Sequence, residues 1–180
     1  MSKLSPSQLM RFAATDPGYG HNEELWSEIL PGLYMGGTAD RDELAAGHPR
    51  PHINPAHFDT VVTLYGHAKP VDWYVKELRL AFYDHHEVDL DHHDLRQVVN
   101  SAHRDWQQGK RVLVRCQAGW NRSGLIMALI LIKDGLKPQE AIDLIRNKRS
   151  ERALCNSSFV NWLLTRGQSV LEETTLLPAA

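Results

Sequence analysis

The chain has 180 residues, a mass of 20.4 kDa and a formal charge of -2, from 20 basic and 22 acidic residues. That length suits one domain with a sizeable core, and 42% apolar against 23% charged residues is a globular rather than a disordered composition. The near-balanced charge argues against a generally basic nucleic-acid binder.

Residues 1–12 (MSKLSPSQLMRF) lack the apolar stretch of a secretory signal. Residues 5–14 fit a short helix capped by Ser5 or Ser7, and residues 16–20 (DPGYG) read as a loop. Residues 26–36 predict two short strands around a Pro31-Gly32 turn, and the Pro- and His-rich stretch 47–57 predicts a loop. Residues 58–65 (FDTVVTLY) read as a strand, with a weaker strand over 78–83 (LRLAFY). Residues 91–108 fit an amphipathic helix with Leu95, Val98, Val99, Ala102 and Trp106 on one face, ended by Gly109.

RVLVR (111–115) is a short buried-type strand, and SGLIMALILIKDG (123–135) is apolar nearly all round, which predicts a central helix packed on several sides. Its apolar run, Leu125 to Ile132, is too short to span a bilayer. Pro138 opens a further helix over 138–149, and a last one spans 156–167 with Phe159, Trp162 and Leu163 as anchors. Strands followed by helices predict an α/β domain, a central mostly parallel sheet flanked by helices. The expected division is an N-terminal extension (1–25), a folded domain (26–168) and a C-terminal tail (169–180) that frays from about residue 171.

The chemistry concentrates in Arg115-Cys116-Gln117-Ala118-Gly119-Trp120-Asn121-Arg122-Ser123-Gly124. A cysteine leaves a buried strand, an arginine follows six residues on, and a buried helix starts at once. This pattern predicts an anion trap. Backbone N–H groups of residues 117–122 and of the helix N-terminus converge on one spot. Gly119 lets the backbone bend, and Arg122 forks onto two oxygens of a phosphate through its outer nitrogens. A thiol among these dipoles is favoured as the nucleophilic thiolate, and the Ser123 hydroxyl can donate to its sulfur. Cys116 and Cys155 are the only cysteines, so there is no disulfide framework, and a reduced cytoplasmic setting is favoured.

With Cys116, Arg122 and Ser123 at this spacing, the chain resembles the cysteine-dependent protein phosphatases, specifically the dual-specificity branch. The likeness extends over about residues 26–166: Ile29 to Gly37 looks like the family's opening strand and Phe58 to Leu64 its next. Arg149 and Asn156-Ser157-Ser158-Phe159 look like its C-terminal pattern, with Cys155 where the family has proline. The resemblance implies hydrolysis of phosphomonoesters of phosphorylated proteins through a phosphocysteine, with no cofactor and no metal. Asp84 falls where the family carries its general acid; Glu87 and Asp89 are its competitors on the same loop. Two departures stand out: Arg115 replaces the family's histidine before the nucleophile, and Trp120-Asn121 resembles the RNA 5′-triphosphatase relatives.

Three other readings follow from the same residues. The segment 84–94 (DHHEVDLDHHD) holds ligands for a metal-dependent phosphoesterase, against a solvated loop and helix start. Arg115 alone favours a non-catalytic phosphate-binding module. Arg146, Lys148, Arg149 and Arg152 could serve an RNA substrate, although such a run is usually a solvated helix face. Cys155 reads as a buried thiol, with a protective disulfide to Cys116 as the alternative. Strand alternation puts Arg115 on the side of Leu113 and Arg111, opposite Val112 and Val114. If that side meets the domain, Arg115 needs a carboxylate or carbonyl partner.

Overall fold

A computed structural model describes residues 25–38, 52–88 and 90–173. The expected helix over 5–14 and loop over 16–20 lie outside these residues, as does Asp89. The first two strands, β1 (Trp26–Leu30) and β2 (Leu33–Gly37), form an antiparallel hairpin. The turn is Pro31-Gly32, where Gly32 takes φ +79°, a conformation that favours glycine. The remaining strands are β3 (Thr60–Thr63), β4 (Lys76–Arg79) and β5 (Val112–Cys116). They build one five-stranded sheet in the order β1-β2-β5-β3-β4, parallel except for β1. The central place goes to β5, the strand buried at all five positions.

The expected strand over 78–83 is displaced to 76–79. Its partner sets that limit: β3 is four residues long, and the ladder ends with Thr63 opposite Arg79.

Strand alternation assigns the two faces of the sheet. Thr60 and Val62 of β3, Leu78 of β4, and Val112, Val114 and Cys116 of β5 face the helices. Val61 and Leu113 face the other way, into a smaller core with Ile53, Phe58 and Val75. Arg115, next but one to Leu113, belongs to this second face, so it and Cys116 leave opposite sides of one strand.

Helix α1 (His92–Gln107) starts at Asp91, whose side chain accepts from the N–H groups of His93 and Asp94. It ends before Gly109 at φ +82°. Helix α2 (Arg122–Lys133) is buried at every residue from Ser123 to Ile132, as its all-round apolarity requires. Around it pack α1, α3 (Pro138–Lys148) and α4 (Ser157–Arg166). Pro138 opens α3, and Asn156 caps α4 by accepting from the N–H groups of Ser158 and Phe159. Phe159 and Leu163 are fully buried anchors, with Trp162 partly buried against the same core.

A short helix, α5 (Ser169–Glu172), spans the start of the expected tail, and residues 174–180 of the stretch expected to fray lie outside the described residues. Val170 is buried, and Arg96 of α1 donates to its carbonyl and pairs with Glu173. Among the described residues no helix is long and apolar enough to cross a membrane.

Candidate active site

Cys116 ends the central strand with its side chain 2% exposed. Its sulfur receives the Gly119 N–H at 3.2 Å and lies 3.4 Å from Ser123 Oγ, at the first turn of α2. The loop between strand and helix is pinned from outside by its carbonyls. Gln117 O accepts from Thr38 N at 3.1 Å, Gly119 O from Arg149 Nε at 3.2 Å, and Trp120 O from Leu154 N at 3.2 Å. In a trans peptide the N–H points opposite to the C=O, so these bonds turn the N–H groups of Ala118, Trp120 and Asn121 toward the cleft. This is the inward ring of donors an anion trap requires.

The loop leaves no room for a side chain at Gly119. Its φ is +75°, and a Cβ there would fall 2.3 Å from the Gly36 carbonyl carbon and 2.5 Å from Gly37 N. Gly37 is close-packed for the same reason, since a Cβ would lie 2.8 Å from Gln117 O. The loop therefore lies directly on β2.

Arg122 opens α2. Its Nη1 donates to Phe82 O at 3.2 Å and Leu64 O at 3.4 Å, and its guanidinium sits 5.5 Å from the centre of the Tyr65 ring. The expected fork through both outer nitrogens is thus corrected: Nη1 is committed to two carbonyls. Nε is buried and has no hydrogen-bond partner among the described residues, which leaves Nε and Nη2 as the pair for an oxyanion.

Asp84 lines one cleft of about 230 Å³ together with Cys116, Gln117, Ala118, Trp120, Asn121 and Arg122. Two asparagines seat it. Asn121 Nδ2 donates to Oδ2 at 2.9 Å, and Asn156 Nδ2 donates to Oδ1 at 2.8 Å and to His85 O at 2.9 Å. Neither amide can turn over without loss. Asn121 Oδ1 accepts the Asn156 N–H at 3.0 Å, and Asn156 Oδ1 caps α4. Of the competing carboxylates, Glu87 is exposed and does not line the cleft, and Asp89 is outside the described residues. Asn121 and Asn156 as seats for Asp84 were missed by sequence reasoning; the Asn156-Ser157-Ser158-Phe159 run signalled only a likeness to the family's C-terminal pattern.

Several expectations change here. Arg149 is buried and holds both Gly119 O and Ser27 Oγ, and Arg146 donates to Ala153 O and Leu154 O. These two belong to the loop's scaffold rather than to a solvated basic face. Cys155 is exposed rather than buried, with its sulfur 3.3 Å from Asn121 Oδ1. Arg152 stacks on the Trp120 ring at the rim, 5.6 Å from its centre. The ligands of the 84–94 segment point to other tasks. His92 pairs with Glu173, His93 with Gln97, and Asp91 caps α1. No three His, Cys, Asp or Glu side chains converge as a metal site among the described residues.

Arg115 meets its expectation. It is 6% exposed, and it donates to Thr63 Oγ1 at 3.0 Å, Lys69 O at 2.8 Å and Glu77 Oε1 at 3.2 Å. Its charge is paired on the sheet face away from Cys116, so it gives no support to a site emptied of chemistry.

Residues 56–169 match the family model of the dual specificity phosphatase catalytic domain. Over 142 residues, 76% of this chain, the sequence is 34% identical to mouse (Mus musculus) dual specificity protein phosphatase 12, and it spans 39% of that protein's length. Human DUSP28 superposes with a TM-score of 0.65 at 21% identity, covering 83% of this chain and 97% of its own. A mouse putative dual specificity phosphatase complexed with zinc tungstate gives 0.65 at 20% identity, covering 93% and 99%. These two likenesses show the same fold. The match over most of the described domain, together with a Cys116–Arg122 loop built as an anion trap, places the chain in the dual-specificity phosphatase catalytic-domain family.

Proposed function

We propose that the domain hydrolyses phosphomonoesters of proteins, on phosphotyrosine and on phosphoserine or phosphothreonine, through a phosphocysteine. The carrying observation is that Cys116, the loop N–H groups, Arg122 and Asp84 line one cleft. The phosphoryl oxygens take the inward N–H groups and Arg122 Nε and Nη2. The Cys116 thiolate attacks phosphorus in line with the leaving oxygen; an S–P bond forms and the P–O bond breaks. Protonated Asp84 gives its proton to that oxygen as it leaves. Asp84, now a carboxylate, takes a proton from water as the water attacks phosphorus; the S–P bond breaks and inorganic phosphate departs. Ser123 Oγ, 3.4 Å from the sulfur, donates to the departing thiolate. Most of the rate comes from donors already in place around the equatorial oxygens.

A panel of phosphotyrosyl and phosphoseryl peptides with p-nitrophenyl phosphate tests this reading, using Cys116→Ser as the blank. The expected result is turnover by the wild type and none by the variant, which still binds inorganic phosphate. Undiminished turnover in Cys116→Ser would overturn it.

A further inference from the structure

On the sheet face away from the helices, the C-terminal ends of β3, β4 and β5 carry a polar cluster: Thr63, Glu77, Arg79 and Arg115. Glu77 stands between two arginines, with Oε1 3.2 Å from Arg115 Nη2 and Oε2 3.1 Å from Arg79 Nε. Thr63 Oγ1 donates to Glu77 at 2.6 Å and accepts from Arg115 Nε at 3.0 Å. Burial alone would raise the Glu77 carboxyl; the Thr63 hydrogen bond and the two arginines outweigh it and hold Glu77 below its ordinary value, as an anion. Each arginine also reaches outward to the same loop. Arg115 Nη2 donates to Lys69 O at 2.8 Å, and Arg79 Nη2 to Ala68 O at 3.0 Å.

That loop begins with Tyr65. The Tyr65 ring lies against the Arg122 guanidinium, its hydroxyl accepts from Gln117 Nε2 at 3.4 Å, and the preceding carbonyl, Leu64 O, accepts from Arg122 Nη1. A continuous set of contacts therefore runs from Glu77 through two arginines to the 65–70 loop, and from Tyr65 to Arg122. We propose that Arg115, Glu77 and Arg79 are positioning residues that hold the 65–70 loop so that Tyr65 aims Arg122 at the phosphoryl oxygens, setting the site's affinity for oxyanions rather than the reactivity of Cys116. This rests on the proposed reading of the cleft as a phosphoryl site.

The sign of one substitution separates aiming from simple charge. The cluster carries two positive charges and one negative. Glu77→Gln adds net positive charge near the cleft, so through-space electrostatics would tighten anion binding. Loss of the clamp loosens it. In the full chain, we would measure inorganic phosphate affinity by calorimetry, KM and kcat on p-nitrophenyl phosphate, and the pH profile of Cys116 alkylation by iodoacetamide. Glu77→Gln is expected to weaken phosphate binding and raise KM roughly tenfold, with a smaller change in kcat and an alkylation profile like the wild type's. Tyr65→Leu should give a similar loss, and the double variant little more than either single one, as for residues on one chain of contacts. If Glu77→Gln does not fold, Thr63→Val, which removes the hydroxyl between Glu77 and Arg115 without changing charge, carries the same measurements, and through-space electrostatics then predicts no change in binding. Unchanged or tighter phosphate binding, additive losses, or a displaced alkylation profile would each overturn the proposal. A wild type that binds phosphate and hydrolyses nothing removes the catalytic reading alone, and phosphate binding still decides the clamp. A wild type that binds no phosphate overturns both.

Discussion

Asp84 has both carboxylate oxygens in use before any substrate arrives. Two side-chain amides, from residues 37 and 72 positions away, hold it, and each amide is itself locked by a backbone N–H. A side chain so fixed has little freedom left to lose, which suits the role of proton donor proposed for it. Asp84→Asn should slow an alkyl phosphate far more than an activated aryl phosphate, by about 10²–10⁴-fold for the former. Asn121→Ala removes one of the two donors, and its loss should likewise be greater on the poor leaving group. Rates of both substrates for both variants check this; equal losses would place the proton donor elsewhere. Cys116 and Arg122 stand out in the sequence because the P-loop spacing is local, whereas Asp84 follows only from the family resemblance, and the fold brings it to the same cleft. The two asparagines were not legible, because only the tertiary fold brings residues 84, 121 and 156 together.

At the scale of elements, the phosphate loop is a strand-to-helix turn held open by its neighbours. β2 supplies two glycines to lie against, Arg149 follows directly on α3, and the segment before α4 supplies Leu154, itself at φ +57°. A non-glycine residue in that region is strained, so surrounding contacts must hold it there. The Leu154 side chain is fully buried over Gly124, where a Cβ would lie 2.8 Å from its Cγ. Gly119→Ala should cost about 1–2 kcal/mol from backbone conformation alone, and more from the clash with Gly36 and Gly37. Urea unfolding should show that loss, together with loss of phosphate binding. Unaltered stability would mean that the loop is free to move off β2. Most of these elements could be read from periodicity and caps. β4 could not be placed, because the apolar run 78–83 keeps a strand-like pattern beyond the point where β3 stops pairing with it. Nor could Arg149 be recognised as buried, because a basic residue at a helix end reads the same whether it meets water or a loop carbonyl.

Over the whole molecule, the sheet order places the site. With β5 between β2 and β3, the loop after β5 emerges in the crevice above the C-terminal ends of the parallel strands. The opposite end is tied by Asp105 of α1, which is 2% exposed and receives Lys76 and Lys110 at 2.7 and 3.1 Å and the Thr60 hydroxyl at 2.9 Å. Burial raises this carboxyl, but those three partners outweigh it and lower its pKa to about 2. A carboxyl depressed on folding adds stability above its unfolded value, near 3.8, and loses it as pH falls toward about 2. That difference is about 2 kcal/mol. Urea unfolding between neutral pH and pH 2 should show Asp105→Asn less stable at neutral pH and less sensitive to acid; an unchanged acid slope would discount the network. The fold class was legible from the order of elements. Asp105 was not, since on a helical wheel it reads as an ordinary polar residue beside an apolar stripe.

The outward bonds of the phosphate loop also bear on how the chain is made. Synthesis runs from the N-terminus, so Asp84, Cys116 and Arg122 leave the ribosome before Arg149, Leu154 and Asn156, the residues that turn the loop carbonyls outward and seat the acid. A nascent chain ending near residue 148 carries Cys116, the proposed nucleophile, without the frame that arranges the loop around it. The arrangement is therefore completed by the segment 149–156 between α3 and α4, as a property of the finished domain rather than of the segment that bears the motif.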